Sequence, residues 1–157
     1  MASTPATAAL TAAGVAFVAH AYDHDPANRD FGNEAATLLG LDPERVFKTL
    51  MVDVDGRLVV AVVPVTGKLD LGALASCVHG KRANMADPAV AERKSGYLVG
   101  GISPIGQKNP QQTVLDETVE LFDTVFVSGG RRGLDIELAP ADLIRITDAV
   151  VAPIARD

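Results

Sequence analysis

Lys48 lies in the run Val46-Phe47-Lys48-Thr49-Leu50-Met51-Val52-Asp53-Val54, where strand alternation puts it on the same side as Val46, Leu50, Val52 and Val54. A cation among four apolar side chains has two accounts. Its stem can lie along the sheet while the ammonium stays in water, which is the usual fate of a lysine near a strand end. Alternatively, a partly desolvated ammonium at the floor of a cleft can hold a phosphate or an ester carbonyl. Alternation alone favours the first account.

Other chemistry-bearing residues are equally two-sided. Tyr22 follows Val18 and His20 in strand phase, so its hydroxyl either binds a ligand or is the wet tip of a packing residue. His20, His24 and His79 come without a CxxC or HExxH pattern, so no metal site is expected, and surface or capping roles are assigned to all three. Cys77 falls in the apolar helical stretch Leu74–Val78, the setting of a buried, inert thiol, and no GxSxG elbow exists. Gly100-Gly101 and Ser128-Gly129-Gly130 lack nucleotide-binding spacing. They read as turns, although their N–H groups could meet an oxyanion or carboxylate. Asp135, in Gly133-Leu134-Asp135-Ile136-Glu137, reads as a charged strand residue. No cofactor motif is present.

The elements that must position these groups are legible in part. Asp55-Gly56 predicts a two-residue type I′ turn joining strands Val46–Val54 and Arg57–Val63. Counting back from Val54 opposite Arg57 sets Thr49 against Val62 and Lys48 against Val63. Pro5 and Gly14 bracket a first helix, Val15–Tyr22 reads as a strand, and Asp23–Gly32 as a loop. Asn33 is the expected cap of a helix Glu34–Leu39 stopped by Gly40. Asp70 should cap Leu71–Val78, with Gly80 as its stop, and Asp87-Pro88 should open a helix through Arg93. Tyr97–Ile102, Leu121–Val127 and Leu134–Leu138 read as strands, and Pro140 opens a helix to Ile146. A hairpin together with helix-separated strands predicts one α/β domain, residues 1–157, on a mixed sheet.

Composition narrows the class. With 157 residues, 48% of them hydrophobic, the chain can bury roughly 68–70% of its extended surface without a disulfide or metal staple. The longest apolar run, Leu58–Val65, is broken by Pro64 and far below the ~20 residues of a membrane helix. Neither a basic leader nor an apolar signal core opens the chain, and the single cysteine cannot pair within it, which predicts a cytoplasmic protein without membrane contact. A net charge of −6 and only 4% aromatic residues argue against non-specific coating of nucleic acid or a base-stacking platform. Any nucleic acid must be gripped locally or presented by a partner. The pairs Lys81-Arg82, Arg93-Lys94 and Arg131-Arg132 are local candidates that taken singly read as solvated charge.

Taken in order, a set of segments resembles the YbaK/EbsC family of aminoacyl-tRNA deacylases, kin to the editing insertion domain of bacterial prolyl-tRNA synthetase. They include Tyr22-Asp23-His24-Asp25-Pro26, Val46-Phe47-Lys48-Thr49-Leu50, Gly67-Lys68-Leu69-Asp70-Leu71 and Met85-Ala86-Asp87-Pro88. The series continues with Gly96 to Pro104 and Val127 to Glu137, so it spans nearly the whole chain. The nearest resemblance is to the Cys-tRNA(Pro) deacylase branch. It implies a compact α/β fold on a strongly curved, barrel-like mixed sheet flanked by short helices. It implies removal of cysteine misattached to proline tRNA, with the substrate's own thiol attacking the ester. It carries Lys48 as the central residue, with Tyr22, Thr49, Gly100, Ser128 and Asp135 around the aminoacyl group and terminal adenosine. It also implies prolyl-tRNA synthetase as the partner that brings the tRNA. The alternatives are deacylation of another mischarged tRNA, such as Ala-tRNA(Pro), and a non-catalytic adaptor docked on a synthetase.

Overall fold

The computed structural model describes residues 3–157. Five α-helices and ten strands are formed among them: α1 Pro5–Ala12, β1 Val18–Ala21, α2 Phe31–Leu39, β2 Phe47–Val54, β3 Arg57–Pro64, β4 Lys68–Leu69, α3 Leu71–Cys77 and β5 Ala83–Met85. The chain continues through α4 Pro88–Ser95, β6 Gln112–Asp116, β7 Val125–Arg131, β8 Leu134–Leu138, α5 Pro140–Thr147, β9 Val150–Ala152 and β10 Ala155–Arg156. A five-stranded sheet runs in the order β5-β2-β3-β6-β9, with β3, β6 and β9 parallel and the rest antiparallel. An antiparallel sheet β1-β8-β7 stands beside it, joined at one parallel bridge, Val46 to Phe126, and β4 pairs with β10. The mixed α/β class is as expected. The described sheets stay open, so the barrel-like closure is not formed.

The hairpin obeys its turn. Asp55 (φ 51°) and Gly56 (φ 84°) adopt the left-handed conformations a type I′ turn requires, and the register pairs Lys48 with Val63, Thr49 with Val62 and Val54 with Arg57. Alternation then sorts the strands between two cores. Phe47, Met51, Val60 and Val62 pack with α1, α5 and the β7–β8 sheet, whereas Leu50, Val52, Val54, Val59 and Ala61 pack with Leu74, Ala75 and Val78 at α3.

Helix starts follow their caps. Thr4 closes a capping box on α1, Asp70 accepts from Ala73 N, and Asp87 accepts from Ala89 N. Helix α2 departs from expectation: it begins at Phe31 after Asp30, and Asn33 lies inside its first turn, donating from Nδ2 to Asp30 Oδ2 at 2.9 Å. Helix α3 is stopped by His79, at φ 60°, one residue before Gly80.

Strands differ more from expectation. The first strand starts at Val18, not Val15, because Gly14 (φ 68°) turns the chain and Val15 N returns to Leu10 O. Tyr97–Ile102 is no strand. Gly96 and Gly100 hold φ of 80° and 90°, and side chains replace the ladder: Val99 N donates to Glu92, and Val99 O accepts from Arg132. Glu117–Leu121 is a 3-10 turn capped by Asp116, so the expected Leu121–Val127 strand begins at Val125 and runs through Ser128-Gly129-Gly130 with a register irregularity. Strands β4, β5, β6, β9 and β10 have no counterpart among the expected elements.

Candidate active site

A cavity of about 440 Å³ opens where the two sheets part beyond the Val46–Phe126 bridge. Strand β5 pairs with β2 only at Val52–Val54, so Val46 and the residues of β2 from Phe47 to Met51, from both side-chain rows, reach this space. The first turn of α2 and its approach form another wall, Met85 to Ala91 a further one, and the 99–102 turn closes the side near β7. All six positions carried by the resemblance, Tyr22, Lys48, Thr49, Gly100, Ser128 and Asp135, line this one cavity.

Lys48 continues the row of Leu50, Val52 and Val54 but sits past the cover of α3, half-buried beside α2. Helix α2 approaches so closely that a Cβ on Gly32 would collide with Val65 Cγ1 and lie 4.0 Å from Lys48 Cβ. No carboxylate lies within ion-pair distance of Lys48 among the described residues. Its ammonium is therefore available to a ligand. Thr49, on the opposite row, buries its hydroxyl with no hydrogen-bond partner among the described residues, an arrangement that costs stability unless a ligand supplies one.

Asp135 is only 6% exposed, paired across β8 with His20 on one side and Ser128 on the other. Burial without a cation raises its carboxyl to about 7. Tyr22, bonded through its backbone N to Gly133 O, is pushed up to about 12, first by burial and then by the charge of Asp135. It remains a neutral phenol, able to donate. Gly100 belongs here for a steric reason: a Cβ would fall 2.6 Å from the Phe31 ring and 2.8 Å from Arg132 Nε, at φ 90°.

Sequence reasoning misses Phe31, because it stands in a segment that reads as loop. It lines the cavity, and the Arg132 guanidinium lies 5.2 Å above its ring. His24 is not the surface residue expected: its Nδ1 is 2.6 Å from Glu34 Oε1, both side chains are nearly buried, and its ring packs on Phe31. No spacing motif announces a pair ten residues apart. His20 bonds Glu137 at 2.9 Å, so both histidines are engaged with carboxylates. Cys77 lies outside the cavity lining and packs at the edge of the α3 core. No helix among the described residues is long and apolar enough to cross a membrane.

A cavity offering a cation, an unpaired hydroxyl, a neutral phenol and a buried carboxyl suits a small polar group bearing an ammonium. Residues 26–146, nearly the whole set of walls just described, match the model of the aminoacyl-tRNA editing domain. The chain belongs to the aminoacyl-tRNA editing domain family. Among its relatives is a protein of Enterococcus faecalis, EbsC, whose name proposes a Cys-tRNA(Pro)/Cys-tRNA(Cys) deacylase; it is 40% identical over 121 residues, 76% of this chain and 73% of that protein. The multifunctional Ser/Thr-tRNA deacylase ProXp-y of Escherichia coli K12 is 32% identical over 89 residues, 56% of this chain and 53% of its own. A crystal structure described as a proposed trans-editing enzyme for prolyl-tRNA synthetase superposes over 100% of both chains with a TM-score of 0.84 and 25% identity. This editing-domain fold therefore surrounds the cavity at Lys48 in the present chain.

Proposed function

We propose that this editing domain is a trans-acting aminoacyl-tRNA deacylase that removes cysteine from mischarged proline tRNA, with Lys48 orienting the ester. The observation that carries the reading is the convergence of Lys48, Thr49, Tyr22 and Asp135 on one cavity inside a chain of the editing family. The name of the Enterococcus faecalis relative supports cysteine as the amino acid cleared, and the described trans-editing neighbour supports prolyl-tRNA synthetase as the partner that delivers the tRNA.

In this account the 3′-terminal aminoacyl ester enters the cavity. The buried Asp135 carboxylate receives the substrate's α-ammonium, replacing the solvent it has lost. Lys48 holds the ester carbonyl and stabilises the negative charge that grows on it, a role in which a pre-placed cation in a half-buried site is effective. The substrate's thiol sulfur attacks the carbonyl carbon. A carbon–sulfur bond forms, the carbon–oxygen bond to the ribose breaks, and the thiol proton passes to the ribose oxygen, leaving a cyclic thiolactone and free tRNA. The protein's share is orientation and electrostatics, so no side-chain nucleophile is required. Gly100 keeps the wall at Phe31 flush, and Ser128 stands beside Asp135 at the floor.

Turnover of a panel of aminoacyl-tRNAs tests the specificity. Cys-tRNA(Pro) should be cleared faster than Ala-tRNA(Pro) or Ser-tRNA, with thiolactone as the first product. Preference for an amino acid that lacks a thiol would overturn both the cysteine assignment and the thiol-assisted step.

A further inference from the structure

A tRNA whose terminal ester lies in this cavity must lead its last phosphates out past the cavity walls, and three arginines line or flank those walls. Arg29 lines the cavity from the approach to α2. Arg132 donates from Nε and Nη2 to Val99 O at 2.9 and 2.7 Å and covers the Phe31 ring, and both Val99 and Phe31 are cavity walls. The exposed Arg131 lays Nη1 within 3.9 Å of where a Gly133 Cβ would be, a position that also lies 2.7 Å from Tyr22 O. The backbone at Gly101 abuts the Arg131–Arg132 peptide just as tightly, which ties both arginines to the 99–102 wall.

The charge around them is arranged in an unusual way for an acidic chain. None of the three arginines forms an ion pair among the described residues. The nearby loop carboxylates are directed elsewhere: Asp25 accepts from Ala27 N, Asp30 from Asn33, and Glu34 is bonded to His24 and Asp25 N. Asp23 alone in this loop is exposed without a bond. Planar guanidinium groups without a carboxylate partner match phosphate oxygens in shape as well as sign. The chain as a whole carries a net charge of −6 with these arginines counted, so the remainder is more acidic still and does not favour a polyanion by its overall charge.

The geometry points to Arg29, Arg131 and Arg132 as a phosphate collar that grips the single-stranded 3′ end of the tRNA at the mouth of the cavity. This inference rests on the deacylase reading and extends it from the ester to the strand that carries it. Arg132 is partly committed to the 99–102 wall, so the exposed Arg29 and Arg131 test the collar with the fold left alone.

The experiment compares wild type with the double variant Arg29→Ala, Arg131→Ala on two substrates, Cys-tRNA(Pro) and a cysteinyl-adenosine ester that has no phosphate. The double variant should show KM on the tRNA raised several-fold with kcat held, and a salt dependence of log KM shallower by about 0.7 for each phosphate no longer neutralised. Its loss on the phosphate-free ester should be absent. Lys81→Ala, a cation remote from the mouth, should behave as wild type on both. An unchanged KM and salt slope on tRNA, or an equal loss on both substrates, overturns the collar. If wild type cleaves neither ester, the deacylase reading fails by itself, and titration with uncharged proline tRNA still decides the collar. Weaker, less salt-sensitive binding by the double variant supports it, and equal binding overturns it.

Discussion

Ser128 faces Asp135 directly across the β7–β8 ladder, the last regular pair before the strands shift register toward Arg131 and Leu134. The strand pair thus holds a buried carboxyl at the cavity, and the arginines that follow the irregularity lie against the 99–102 wall. The consequence is a charge held at a cost to the fold. Asp135 has an ordinary carboxyl value of 3.8 in the unfolded chain and about 7 when folded, so between these values the folded state binds more protons than the unfolded one. Stability conferred by this site therefore falls as pH rises from about 4, and the penalty is complete above about 7. Asp135→Asn should be more stable than wild type at pH 8 by on the order of a few kcal/mol, read from denaturant unfolding, and the gap should close by about pH 4. A constant gap across that range would deny the buried charge.

Thr49 carries the opposite kind of cost, an unpaired hydroxyl. Thr49→Val keeps the shape and removes the orphan group, so the folded protein should be more stable by about 1 kcal/mol while KM for the aminoacyl-tRNA rises. Denaturant midpoints and steady-state kinetics check the two halves separately, and a KM left unchanged would detach Thr49 from substrate.

Gly100 tests the wall. Its φ of 90° and the 2.6 Å approach to Phe31 leave no room for a methyl group. Gly100→Ala should cost about 1–3 kcal/mol and raise KM together with it, read by thermal unfolding and kinetics on one preparation. The same substitution at Gly40, which has open space around it, should cost less and leave KM alone.

These features are unequally legible in the sequence. The Asp55-Gly56 turn sets Lys48 opposite Val63, because a two-residue turn leaves one register. The neighbours of Lys48 are hidden, since Tyr22, Gly100 and the β7–β8 pair Ser128 and Asp135 arrive from three distant segments and no local period links these to Lys48. Only the ordered family segments name them together. Tyr97–Ile102 has strand-like composition, yet Glu92 and Arg132 take its backbone groups, a tertiary override that periodicity cannot see. Strand β6 pairs in parallel with β3 across nearly fifty intervening residues, so its partner leaves no local signal.

The central claim is that the cation at Lys48 acts on the ester of a mischarged tRNA. Its side chain is half-buried at the cavity and does not support the fold through any ion pair among the described residues. The direct measurement is turnover of Cys-tRNA(Pro) at catalytic enzyme concentration by wild type, Lys48→Ala and Lys48→Arg, each shown folded by its thermal transition. The account predicts multiple turnovers by wild type, a loss on the order of 10²–10³ in kcat for Lys48→Ala, and substantial impairment of Lys48→Arg, whose planar fork does not reproduce a point charge. Intact Cys-tRNA(Pro) with wild type, with or without prolyl-tRNA synthetase, or near-normal turnover by Lys48→Ala, would contradict it.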